Sequence, residues 1–184
     1  MSRPSRADLQ RAAGKKLRDV IGPQLQILFC GINPSLYSAA VGHHFGRPGN
    51  RFWPALHWSG FTSRQLAPDE QRELLALGYG ITNIVARATA AAGELGDDEI
   101  VAGARRLRGR VERYRPRVLA VLGIGAYRTA FARPRASLGL QDVRFGDTRV
   151  WVLPNPSGLN AHYQRAELTA LFTELRLAAG RAGD

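Results

Sequence analysis

Two asparagines stand where apolar runs end. Asn33 lies in "CGINPS" (30–35), directly after "LQILF", and Asn155 lies in "VLPNPSGLN" (152–160), after another apolar run. An amide offers one accepting oxygen and two N–H donors but no useful basicity. At such a position it can orient a water through its oxygen, but it is too weak a base to deprotonate it. Other chemistries find little support. The single Cys30 excludes an internal disulfide and a four-cysteine metal site. His43, His44, His57 and His162 lack ligand spacing. Gly123-Ile124-Gly125 is half of a dinucleotide fingerprint, but Arg128 stands where the third glycine belongs. No lysine follows position 16, so there is no phosphate-binding Gly-Lys-Ser/Thr loop, and there is no G-x-S-x-G elbow.

The elements that must position these amides alternate in type. Buried strands are expected in 24–31, 79–86 and 117–123, and a strand pair turning at Gly146-Asp147 in 143–154. Helical spacing marks 7–21 (interrupted by Gly14), 50–60 after a cap at Asn50, 69–78, 97–115 capped by Asp97, 126–132, and 165–180. Residues 35–49 read as a long glycine-rich loop. Strands alternating with helices predict a three-layer α/β/α domain around a mainly parallel sheet. Residues 1–184 are read as one domain, with 1–23 a helical N-terminal extension. In such sheets ligands bind at the carboxyl ends of strands, where both Asn-Pro elements fall.

The net charge is +11 and the pI about 11.1, a balance that favours polyanions such as nucleic acid. Nearly all of it is arginine, as a GC-rich genome would also encode, so the choice of arginine over lysine carries no weight. No secretory h-region follows the basic N-terminus, and no apolar run reaches the roughly 18 residues of a membrane span. A soluble, cytoplasmic monomer, nucleoid-associated when acting on DNA, is expected.

"GINPS", "GRPGNRFW" and "NPSGLN", in that order, closely resemble the mismatch-specific uracil-DNA glycosylases, the branch that includes thymine-DNA glycosylase. The likeness runs from about Gln26 to the C-terminal helix. It implies a monofunctional glycosylase that flips uracil out of a G·U pair in double-stranded DNA and hydrolyses its N-glycosidic bond. Ethenocytosine and thymine are further substrates of the type, and no metal or cofactor is implied. By resemblance Asn33 holds the attacking water, while Gly31, Ile32, Phe45 and Asn83 surround the base, with Phe45 stacking on it. The loop Asn155, Pro156, Ser157, Gly158, Leu159 and Asn160 enters the duplex. Leu159 is its apolar wedge, Gly158 and Asn160 face the widowed guanine, and Asn155 and Ser157 contact phosphate. Phe52 and Trp53 anchor the preceding loop in the core, and Arg51 is structural or phosphate-facing.

The sequence also departs from that pattern. Ser35 replaces a second glycine after Asn-Pro, and Arg47 begins "RPGN" in place of the more usual histidine. Ala86 stands where an acidic residue is usual; Glu94 matches another acidic position of the family. The missing carboxylate favours an alternative, a catalytically weak or inactive DNA-binding relative. A third reading, a nucleoside or nucleotide enzyme on the same scaffold, is opposed by the charge and by the Leu159 loop. A Schiff-base lyase step needs an amine, and Lys15 and Lys16 are expected to lie away from the motifs.

Overall fold

The computed structural model describes residues 3–158, 160 and 162–180. Five strands form one sheet: β1 (Ile27–Gly31), β2 (Tyr79–Asn83), β3 (Val118–Leu122), β4 (Gly139–Phe145) and β5 (Thr148–Leu153). Their order is β2-β1-β3-β5-β4, parallel throughout except for β4, which runs antiparallel to β5. All residues of β1 and β3 are buried, which is why these strands read as unbroken apolar runs rather than alternating ones. Their side chains part to two faces. Ile27, Phe29, Ala120 and Leu122 join one core with Phe52, Leu168 and Phe172; Leu28, Cys30, Leu119 and Val121 join another with Leu107, Val111 and Tyr127. Burial pushes the Cys30 thiol pKa up, so the group is an inert core residue.

The described residues form seven α-helices: α1 (Arg6–Arg11), α2 (Leu36–Val41), α3 (Phe52–Trp58), α4 (Glu73–Ala76), α5 (Asp97–Tyr114), α6 (Ile124–Ala130) and α7 (Arg165–Gly180). The helical spacing of α5 sets Ile100, Ala104, Leu107, Val111 and Tyr114 on one face; the first four are buried and Tyr114 is half-buried. The predicted α/β/α architecture is thus the observed one. None of the described helices is long and apolar enough to cross a membrane.

Four local expectations need correction. The N-terminal helix ends at Arg11, not near residue 21: Gly14 adopts φ 72°, and Lys16 and Val20 instead bridge to Arg87 and Ile81. The edge of β2 offers unpaired backbone groups, and pairing with them outweighs the helical spacing. The 35–49 "loop" contains α2, because Ser35 Oγ accepts the Ser38 N–H at 3.1 Å and Gly42 ends the helix at φ 79°. The 69–78 helix is broken into a 3-10 turn (Pro68–Glu70) and α4, with the break at the buried Gln71. Asp97 is the first residue of α5, after an N-cap at Gly96, and supports the helix dipole together with Asp98 and Glu99.

Candidate active site at the carboxyl ends of the strands

The register of β1 on β2 sets Gly31 beside Asn83, at the carboxyl edge of the sheet. A cavity of about 270 Å³ opens there, lined among others by Ile32, Asn33, Phe45, Asn83, Thr89 and Asn155. Both Asn-Pro strand ends therefore reach one site, as do "GRPGN" and the segment after β2.

Asn33 is held in one orientation. Its Nδ2 donates to the Arg87 carbonyl at 3.1 Å and to Thr89 Oγ1 at 2.7 Å. Thr89 spends its own proton on the Ala91 carbonyl at 2.8 Å, so its oxygen can only accept from Asn33. Both amide N–H groups are thus engaged. Oδ1 makes no hydrogen bond to the described residues, and it is the group Asn33 has left for a ligand or water in the cavity.

Asn83 is fixed from the other side. His44 Nε2 lies 2.9 Å from the Arg18 carbonyl, which can only accept, so Nε2 carries the proton. Nδ1 then accepts from Asn83 Nδ2 at 3.2 Å, and the Asn83 oxygen is turned to the Gly31 side. Burial lowers the His44 pKa and keeps the ring neutral; the Arg18 carbonyl and Asp19 oppose that effect, and His43 adds to it. The His44 backbone is also pinned, its N–H to Gln71 Oε1 at 2.9 Å and its carbonyl to Trp53 Nε1 at 3.1 Å. Glycine is required at 31: a Cβ there would stand 2.5 Å from Asn83 Oδ1 and 3.3 Å from the Phe45 ring.

Phe45 adopts φ 53°, a left-handed conformation that bulky residues rarely take. Its ring lines the cavity and stacks on Phe52, with centroids 4.1 Å apart. Ile32 is backed by Gly123, where a Cβ would meet its side chain at 3.2 Å. The half fingerprint is therefore a packing turn.

At the second strand end, Asn155 Oδ1 accepts the Ser157 N–H at 3.0 Å, so that N–H, expected to serve phosphate, is spent inside the loop. Asn160 Nδ2 donates to the Asn155 carbonyl at 3.0 Å, and its Oδ1 accepts the His162 N–H at 3.2 Å. Pro156 is buried, and its carbonyl accepts the Arg51 N–H at 2.9 Å. The Arg51 guanidinium donates to the carbonyls of Ser157 (2.9 Å), Asn160 (2.7 Å) and Tyr163. Of its two anticipated roles, Arg51 takes the structural one. Gly158 packs on Gly49, where a Cβ would fall 2.3 Å from the Gly49 carbonyl oxygen. Leu159 lies outside the described residues.

No carboxylate lines the cavity among the described residues, and Arg47 is its one cation. Ala86 is not in the lining, and the Glu94 carboxylate caps its own turn by accepting the Ala91 N–H at 2.9 Å. Sequence reasoning missed His44, Thr89 and the N-terminal segment. Leu17 lines the cavity, and Lys15 and Lys16 pair with Ala88 and Arg87, beside the carbonyl that holds Asn33. The expectation that these lysines lie away from the motifs is therefore wrong for their backbone. The extended pairing that brings them there carries no local sequence signature.

A family model described as the uracil DNA glycosylase superfamily matches residues 18–176. Among solved structures, the solution NMR structure of a Methanosarcina acetivorans protein, provisionally described as a uracil DNA glycosylase, aligns with a TM-score of 0.61 and 21% identity. The alignment covers 89% of this chain and 98% of that one, a likeness of fold.

Proposed function

Because the chain belongs to the uracil DNA glycosylase superfamily, we propose that it removes uracil from G·U mismatches in duplex DNA by direct hydrolysis, with ethenocytosine and thymine as further substrates. Family membership implies a DNA N-glycosylase; mismatch preference and the residue roles are the proposal. The observation that carries it is the orientation of Asn33, whose amide protons are both engaged while its oxygen is left for the cavity.

In this reading the base leaves the stack and lies against the exposed part of Phe45. The Asn83 oxygen accepts the uracil N3–H, and its remaining amide proton serves O4. Cytosine presents a donor where uracil has O4, so a fixed amide disfavours it. Asn33 Oδ1 accepts a hydrogen bond from the attacking water and aims the water's lone pair at C1′. The C1′–N1 bond breaks with its electron pair leaving on the uracil anion, and the water's proton passes to solvent. Rate enhancement then rests on position and on the already weakened pairing of the base. Leu159 fills the vacated space, and backbone groups near Gly158 and Asn160 face the guanine.

Abasic-site formation on matched oligonucleotides with G·U, A·U, G·T and single-stranded U tests this. G·U should be processed fastest. Equal rates on A·U would remove the mismatch claim, and cleavage of free deoxyuridine would redirect the assignment to nucleosides. One observation favours a second reading, a weak or inactive DNA-binding relative: the cavity has no carboxylate among the described residues. Tight G·U binding with no abasic product would select it.

A further inference from the structure

Four consecutive residues, 17 to 20, each contact either the base pocket or β2, the strand that ends in it. Leu17 lines the cavity, and the Arg18 carbonyl sets the His44 tautomer at 2.9 Å. Asp19 Oδ1 accepts from Thr82 Oγ1 at 2.7 Å, and its Oδ2 stands 3.6 Å from Arg110 Nε. Val20 exchanges both backbone hydrogen bonds with Ile81, at 2.9 and 2.7 Å. From α5, Arg110 Nη2 donates to the Asn83 carbonyl at 2.7 Å.

These contacts converge on the strand that most needs them. β2 is the edge of the sheet, and Asn83 is its last residue. An edge strand end has pairing on one side only and opens locally more easily than a central one. The 17–20 segment supplies the missing side, and Arg110 ties down the carbonyl of the residue that carries the reading amide. Arg110 Nε is buried without a hydrogen-bond partner, so Asp19 is the counter-charge that holds the guanidinium in place.

We propose that Asp19, acting with Arg110, is a positioning residue for Asn83, and that the N-terminal segment 17–20 is thereby part of the base-reading apparatus. This rests on the assignment of Asn83 as the base reader. A purely structural ion pair would stabilise the fold without acting through that amide.

The test is a double-mutant cycle in single-turnover excision from G·U duplex. Asp19→Ala should slow excision about 10-fold, as expected for a modestly misplaced contact group, with duplex affinity unchanged. Asp19→Asn keeps an acceptor for Thr82 but removes the counter-charge to Arg110, so it should recover little of that loss; full recovery would overturn the role of Arg110. In an Asn83→Ala background, Asp19→Ala should cost nothing further, because both act through one amide. Additive losses would overturn the proposal. If Asp19→Ala does not fold, Arg110→Gln in the same two backgrounds asks the same question. A readout free of substrate separates this inference from the assigned reaction. The Asn83 side-chain amide should give sharp NMR resonances in wild type and exchange-broadened ones in Asp19→Ala. Unchanged resonances would sink the proposal even if the enzyme is active. A wild type that excises nothing contradicts the assigned activity, while the resonances still decide the positioning role.

Discussion

The two strand ends share an Asn-Pro dipeptide and use it differently. At the end of β1, Asn33 gives both amide protons to the segment after β2 and keeps its oxygen for the cavity. At the end of β5, Asn155 turns its oxygen back to its own loop, accepting from Ser157. The first amide is held by others and is available to a ligand; the second builds a turn that Arg51 then clamps. Identical local sequence thus leaves an amide oxygen for a cavity in one place and closes a turn in the other, according to which atoms neighbouring elements occupy.

The largest way to break the first end is to fill its floor. Gly31→Ala puts a methyl where Asn83 and Phe45 already stand. Excision should fall roughly 10²-fold, the usual scale for an ångström-sized misplacement, and a near-normal single-turnover rate would show that neither residue touches the base. Arg51→Ala breaks the second end instead. It removes three charge-assisted hydrogen bonds to carbonyls and should cost about 2–4 kcal/mol of stability, read by urea denaturation. Duplex excision should suffer more than excision from single-stranded U, because the clamp positions the loop proposed to enter the duplex. Equal losses would make Arg51 a general fold residue.

Leu159→Ala should be milder. Duplex G·U excision is expected to drop several-fold, part of the few kcal/mol that flipping requires, with a smaller drop on single-stranded U. No difference between the substrates would mean that Leu159 fills no gap in DNA. The smallest effect is a pH dependence of stability. Burial holds the His44 pKa below its ordinary value near 6.5. Below about pH 6.5 the unfolded chain therefore takes a proton that the folded chain refuses. This contribution is complete above that pH and is lost as pH falls from there toward the folded pKa. Glu70 and Glu99, kept low chiefly by Arg64 and Arg87, stay ionised through that window. Thermal midpoints between pH 8 and 5 should decline less steeply in His44→Gln; parallel curves would contradict the buried neutral imidazole.

Much of this was legible in the sequence for physical reasons. β1 and β3 are apolar throughout because both faces of a central parallel strand are covered. The α5 stripe was readable because one face packs and the other is solvated. The features that escaped depend on long-range pairing. Residues 12–20 have helical spacing, yet Gly14 breaks the helix, the open edge of β2 recruits Val20, and Lys16 bridges to Arg87 in the segment that follows β2. His44 lacks ligand spacing, but it works as a hydrogen-bond acceptor, for which no spacing is diagnostic. The positive charge misled in degree. Arg51, Arg110, Arg128, Arg149 and Arg176 all donate to backbone carbonyls of the chain itself, so net charge overstates the cations available to phosphate.

The central claim is that the Asn33 oxygen, and no proton acceptor, prepares the attacking water. The most direct measurement is single-turnover excision from G·U duplex by Asn33→Ala, with duplex affinity measured on the same preparation. The rate should fall by roughly 10²-fold or more, as when other preorganised polar groups are removed, while affinity holds. A rate near wild type, or a loss of affinity that accounts for the loss of rate, would contradict the assignment.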